Sequence, residues 1–129
     1  MKTTLFTLLI FICLKSYSQN SSIKMSISYN SIALYDPIKK EYNESEKYPT
    51  TFIFDYNSNR DILKISPNGE KNIFYTVRIT NNLKFDNNTT YTEIDCLNAK
   101  GKQVSFILFD DIPDCMIMSD NINAIRFTK

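Results

Sequence analysis

The residues of this chain that could carry chemistry are few, and nearly all are carboxylates or cysteines. Asp110, Asp111 and Asp114 form the one tight acidic cluster. Several carboxylate oxygens together suit a hard cation such as calcium. No calcium-loop spacing surrounds them, and they follow a very apolar run. They read better as a polar turn that ends a strand and deters edge aggregation. Glu41, Glu44 and Glu46 could join other carboxylates in glycoside hydrolysis, which needs two acids across a cleft. A charged stretch produces such triplets by chance. Histidine is absent, which excludes Ser-His-Asp and Cys-His mechanisms and zinc sites built on imidazole. Two glycines, Gly69 and Gly101, leave no room for a phosphate-cradling loop. Tryptophan is absent too, and with it the strongest stacking platform for sugar rings. No catalytic, cofactor-binding or metal-ligating residue is assigned, and no cofactor is expected.

The N-terminus sets the compartment in which any such chemistry would run. Lys2 provides a positive start, residues 5–14 are almost uninterruptedly apolar, and residues 15–20 turn abruptly polar. Ser16 and Ser18 suit the small pockets of a signal peptidase, which places the cut between Ser18 and Gln19. A membrane-spanning helix needs about 20 apolar residues, twice this run. A lipoprotein signal ending at Cys13 would need a small residue where Ile12 stands. The expectation is a helical signal peptide over 1–18 and one domain over 19–129, exported to the periplasm or beyond, with no membrane span after cleavage.

Losing Lys2 and Lys15 takes the 15 basic residues to 13 against 14 acidic, a net charge of −1. The lysines are dispersed, so nothing attracts a polyanion and nucleic-acid binding is not expected. About 110 residues suffice for one modest core. Asn20, Asn43, Asn87 and Asn88 each begin an Asn-x-Ser/Thr pattern, cheap in an asparagine-rich chain.

Those residues must be positioned by strands, because the dominant signal from residue 23 onward has period two. Ile23, Met25, Ile27 and Tyr29 alternate with polar residues, and the phase slips at Asn30-Ser31. A one-residue slip turns apolar side chains outward unless a bulge or turn absorbs it. Residues 38–50 read as a charged, solvated stretch with at most one edge strand. Further strands are expected over 51–56, 62–66, 72–80, 91–97, 104–109, 115–118 and 124–127. Turns fall at 67–69 and 98–101, each ending in a glycine that tolerates positive φ. No helical periodicity is present. The expected fold is all-β: an antiparallel meander of about eight short strands, closed as a small barrel or folded as a tight sandwich.

That topology bears on the cysteines. Export favours a disulfide between Cys96 and Cys115. They flank opposite ends of the strand over 104–109, however, and six strand residues span roughly 20 Å where bridged Cα atoms need about 7 Å or less. Free thiols are the expectation.

Several strands carry apolar residues on both faces. The alternation assigns Ile73, Tyr75, Val77, Phe106 and Leu108 to the inside, as candidate lining for a small apolar ligand. It leaves Phe74, Ile107, Phe109 and Ile53 outside, either covered by a second sheet or the 38–50 segment, or forming an interface for a partner or a second copy.

The signal ending Lys15-Ser-Tyr-Ser-Gln19, the asparagine-, isoleucine- and lysine-rich β domain and its Thr-Phe-Ile-Phe strand resemble the short exported, uncharacterised β-rich proteins of flavobacteria and other Bacteroidetes. The resemblance covers the whole chain through layout, and it implies a Gram-negative export route without assigning functional residues. The Gly-x-Trp signature of lipocalins cannot occur without tryptophan. The expected role is non-enzymatic binding of a small apolar ligand or a protein partner. The alternatives are a carboxylate-dependent hydrolase and a purely structural accessory protein.

Overall fold

The computed structural model describes residues 25–86 and 88–129, all of them strand, turn or loop. The expected signal peptide and its expected cut between Ser18 and Gln19 lie outside the described residues. Nine strands follow one another: β1 (Met25–Asp36), β2 (Glu41–Tyr42), β3 (Glu46–Phe54), β4 (Ile62–Ile65), β5 (Lys71–Lys84), β6 (Thr90–Leu97), β7 (Gln103–Phe109), β8 (Cys115–Ser119) and β9 (Ala124–Thr128). From β3 to β9 each strand pairs antiparallel with the next, and β1 pairs with both β3 and β9. The result is a closed eight-stranded antiparallel barrel, with β2 as a short extra strand on the end of β1. Closure leaves the barrel strands without a free edge.

The phase slip in the sequence is the hinge of this closure. The register of β1 against β3 shifts between Tyr29 and Ser31, where Asn30 lies opposite two residues of β3, Tyr48 and Pro49. A bulge bends its strand. Past this shift β1 pairs on both sides: it stays on β3 through Ile32 while Ser31–Leu34 pairs with β9. The two glycine turns form as expected, with Gly69 at φ 84° and Gly101 at φ 78°. Their amides donate to the carbonyls of Ser66 and Asn98 at 2.9 Å.

Eight strands enclose a space just wide enough for side chains to fill, and aromatic rings fill its centre. Phe52 is fully buried, with its ring centroid 4.9 Å from Phe127, 5.8 Å from Phe106 and 6.1 Å from Tyr29, all near edge-to-face. Phe74 packs on Phe106 at 5.1 Å, and Met116 and Ile62 complete the packing. Rings crossed in this way gain quadrupole attraction beyond the area they bury.

Strand β5 corrects the assignment of faces. Phe74 points inward and is 7% exposed, whereas Tyr75 and Val77 point outward at 49% and 65%. Ile73 also faces out, registered beside Leu63 of β4. The cause is a second bulge, between Thr76 and Arg78, where the register against β6 shifts. Strict alternation keeps Ile73 and Ile79 on one face. The extra residue puts Ile73 outside and Ile79 inside, opposite Ile94. Of the five residues assigned to the inside, Phe106 and Leu108 pack in or against the core, while Ile73, Tyr75 and Val77 do not. Ile53, Ile107 and Phe109 lie on the outer face and are half-buried.

Candidate functional site

At the end of the barrel where β3 turns into β4, the aromatic packing stops short of the rim. A cleft of about 200 Å³ remains, open to solvent. Its apolar lining includes Phe54, Ile62, Leu108, Ile79 and Ile94. Met25 at the start of β1 overhangs one side.

The rim is polar and held in place. Arg60 Nε lies 2.9 Å from Asp55 Oδ1 across the β3–β4 loop. Opposite them the Thr92 hydroxyl contacts Asn81 Oδ1 at 3.1 Å. Among the described residues, three of the four non-glycine residues with positive φ lie at or beside this mouth: Asp55 at 51°, Arg60 at 61° and Asn82, next to Asn81, at 59°. Such conformations cost free energy and persist only where neighbours enforce them.

Asp61 is the enforcing residue for the loop. Pairing of β4 with β5 ends at Ile62 and Phe74, so the next amides of β5 on that side lose their strand partner. The buried carboxylate of Asp61 takes over: Oδ1 accepts from the Thr76 amide at 2.9 Å and Oδ2 from Asn57 Nδ2 at 2.9 Å. Asn57 Oδ1 accepts in turn from the amides of Asn59 and Asp61, and the Thr76 hydroxyl donates to the Arg60 carbonyl at 2.7 Å. The loop bearing Asp55 and Arg60 is therefore tied to the first bulge of β5.

A second polar cluster lies on the outer face. Asp95 is buried there; its Oδ2 accepts from Arg78 Nε and Nη2 at 3.1 and 2.8 Å, and its Oδ1 from the Ser105 hydroxyl at 2.8 Å. Burial pushes the Asp95 carboxyl up, but the bonds from Arg78 and Ser105 and the charge of Arg78 outweigh it and hold it below its ordinary value. This cluster anchors β5, β6 and β7 to one another.

Both thiols are free. Cys96 registers with Val104 near the start of β7, while β8 begins with Cys115 opposite the end of β7. Burial pushes the Cys96 thiol up to about 11, eased partly by the Thr76 hydroxyl and reinforced by Asp61 and Asp95. Burial raises Cys115 as well, with Arg126 working against it. Neither thiol is primed as a nucleophile.

The acidic turn is exposed: Asp110 accepts from the Thr90 hydroxyl and Asp114 lies 3.9 Å from Lys129 Nζ. Glu41, Glu44 and Glu46 are exposed on and around β2 and line no part of the mouth. Among the described residues no group of three or more Cys, Asp or Glu could hold a metal ion, and no helix is long and apolar enough to cross a membrane. Sequence reasoning placed Phe106 and Leu108 inside but missed Asp55, Arg60, Asp61, Asn81 and Thr92. The one signal for them was the pair of polar loops at 57–61 and 81–89 that interrupt the strands.

No family model matches the chain, and no curated protein or solved structure matches it either.

Proposed function

We propose that this is an exported, non-enzymatic binding protein that holds a small, mainly apolar ligand in the mouth of its barrel. The observation that carries the reading is the 200 Å³ apolar cleft under a polar rim. Pockets in the mouths of β-barrels are a preferred place for small ligands, with few polar groups to fix orientation. The size bounds the ligand. A cavity of about 150 Å³ accepts benzene, whereas drug-sized molecules need roughly 300 Å³ or more. One ring or a short alkyl chain fits the cleft. Carboxylate hydrolysis is supported less well, because the lining contains a single carboxylate, Asp55, already engaged by Arg60.

Native mass spectrometry of the protein purified from its own host would read the cleavage site and any retained ligand together. In parallel, a panel of single-ring aromatics and short alkyl alcohols is titrated while methyl resonances are followed. Shifts confined to Ile62, Ile79, Ile94 and Leu108, and abolished by Ile94→Trp, are expected. No shift at millimolar concentration with any panel member, and no retained mass, would overturn the proposal.

A further inference from the structure

The outer face of β6 to β9 carries a row of registered residues that reads, strand by strand, acidic, apolar, apolar, basic. Glu93 of β6 pairs with Ile107 of β7, Ile107 with Ile117 of β8, and Ile117 with Arg126 of β9. Their neighbours inside the barrel are Ile94, Phe106, Met116 and Phe127, so all four of the row project outward. Among the described residues Glu93 and Arg126 make no ion pair. Arg126 stacks its guanidinium 4.7 Å above the Tyr42 ring, and its Nε is buried without an acceptor. Such a cation lacks the carboxylate that a half-buried arginine ordinarily finds. The charge of Glu93 reaches Arg78, but that side chain is held by Asp95.

We infer that this face binds a second copy of the chain, with Glu93 of each copy meeting Arg126 of the other. A two-fold axis lying in the interface, parallel to the strands and midway between β7 and β8, reverses the row. Ile107 then meets Ile117, and both ends of the row become opposite-charge pairs. The other in-plane axis, along the row, would oppose Glu93 to Glu93 and Arg126 to Arg126, and like charges across an interface are strongly disfavoured. The flanking rows agree with the first axis. Two residues along the strands, Phe109 follows the last registered pair of β7 and β8, Leu108 and Met116, and Cys115 precedes it, so a bulky ring faces a small thiol. On the other side Ser105 registers with Ser119, and hydroxyls meet. Isologous contact of this kind is the commonest way for a chain to form a closed oligomer.

Barrel curvature permits the contact. Strands in such barrels tilt about 35–45° to the axis, so a row perpendicular to them bends less than the circumference does. Four strands by three rows give a footprint roughly 20 Å on a side, about 400 Å² per copy, the size of a weak, transient contact. Weak, reversible association is expected, with Ile107 and Ile117 as the apolar centre and the charges at the rim.

The test is charge exchange followed by sedimentation velocity. The wild-type chain dimerises weakly and reversibly, and Glu93→Lys and Arg126→Glu each weaken self-association on the order of 100-fold. Mixed in equal amounts, the two variants dimerise again, because every cross-copy contact is then an opposite pair. Arg126→Glu also loses the Tyr42 contact, so its folding is checked by circular dichroism. Should it not fold, Glu93→Lys and Ile107→Asp decide, and both must weaken association. A wild-type chain that stays monomeric at ~100 µM, or a dimer untouched by Glu93→Lys, would overturn the inference.

Discussion

Replacing Asp61 by alanine tests whether the rim of the mouth is held by one side chain. In the folded protein the change removes the acceptor of the Thr76 amide, at a point where β4 has already ended. A buried donor left unsatisfied costs about 1–3 kcal/mol. The bond from Asn57 Nδ2 is lost as well, but Asn57 is half-buried and can turn to water, adding about 1 kcal/mol. The sum is about 2–4 kcal/mol, a large share of the 5–15 kcal/mol typical of one domain. For a domain of this size it lowers Tm by roughly 10–20 °C. Urea unfolding followed by circular dichroism measures the loss, and hydrogen exchange at the Thr76 amide locates it. Asp61→Asn keeps an acceptor for Thr76 but sets one amide against the amide of Asn57, and should cost about 1 kcal/mol. The ligand proposed for the mouth should bind more weakly to Asp61→Ala, because Asp55 and Arg60 lose their anchor. If the alanine variant loses under about 0.5 kcal/mol, or Thr76 stays protected, the loop is held by something else and the reasoning is wrong.

Two further outcomes follow from the interior. Phe52→Ala removes the ring on which four other aromatic side chains pack and should cost about 3–5 kcal/mol by chemical denaturation; a loss near 1 kcal/mol would mean the barrel centre collapses around the gap. Cys96 keeps its proton in the folded state up to about pH 11, whereas the unfolded chain releases it from its ordinary value of 9.0. The folded state then binds more protons across that window, so stability falls as pH rises from about 9 to 11. Tyr29, pushed to about 12 by burial and by the charges of Cys115 and Asp114, extends the decline. Lys64, lowered by burial, acts in the opposite sense. Cys96→Val should flatten the alkaline slope, and a thiol reagent at pH 8 should modify Cys115 well before Cys96.

Much of the barrel was legible because period-two alternation and turn chemistry are local. The register shift at Asn30-Ser31 was marked by the phase slip, since polar and apolar residues visibly exchange faces there. Around Thr76 no such mark exists. Ile73, Tyr75, Val77 and Ile79 continue an unbroken alternation through a bulge, and Phe74 on the opposite face is as apolar as any of them. Only the competition for interior volume decides which set goes in. Phe74 wins because its ring fills the space beside Phe106. The candidate site was less legible still. Asp61 and Thr76 are 15 positions apart, as their hydrogen bond records, and nothing local links a loop carboxylate to an amide on the next strand.

By itself, the sequence determined the all-β class, the position of each glycine turn, the pairing-blind strand order and the absence of imidazole chemistry. Each rests on a property of neighbouring residues or of composition. It also argued against a bridge between the two cysteines, because the length of one strand lies between them, and both thiols are free. Only the tertiary structure decided that β1 pairs with both β3 and β9 and closes a barrel, since closure is a contact between the two ends of the sheet. It decided as well which face of β5 is buried, that aromatic rings fill the centre, and that an apolar cleft opens at the mouth. Those outcomes depend on volumes and hydrogen bonds shared between strands distant in sequence, and no local pattern carries them.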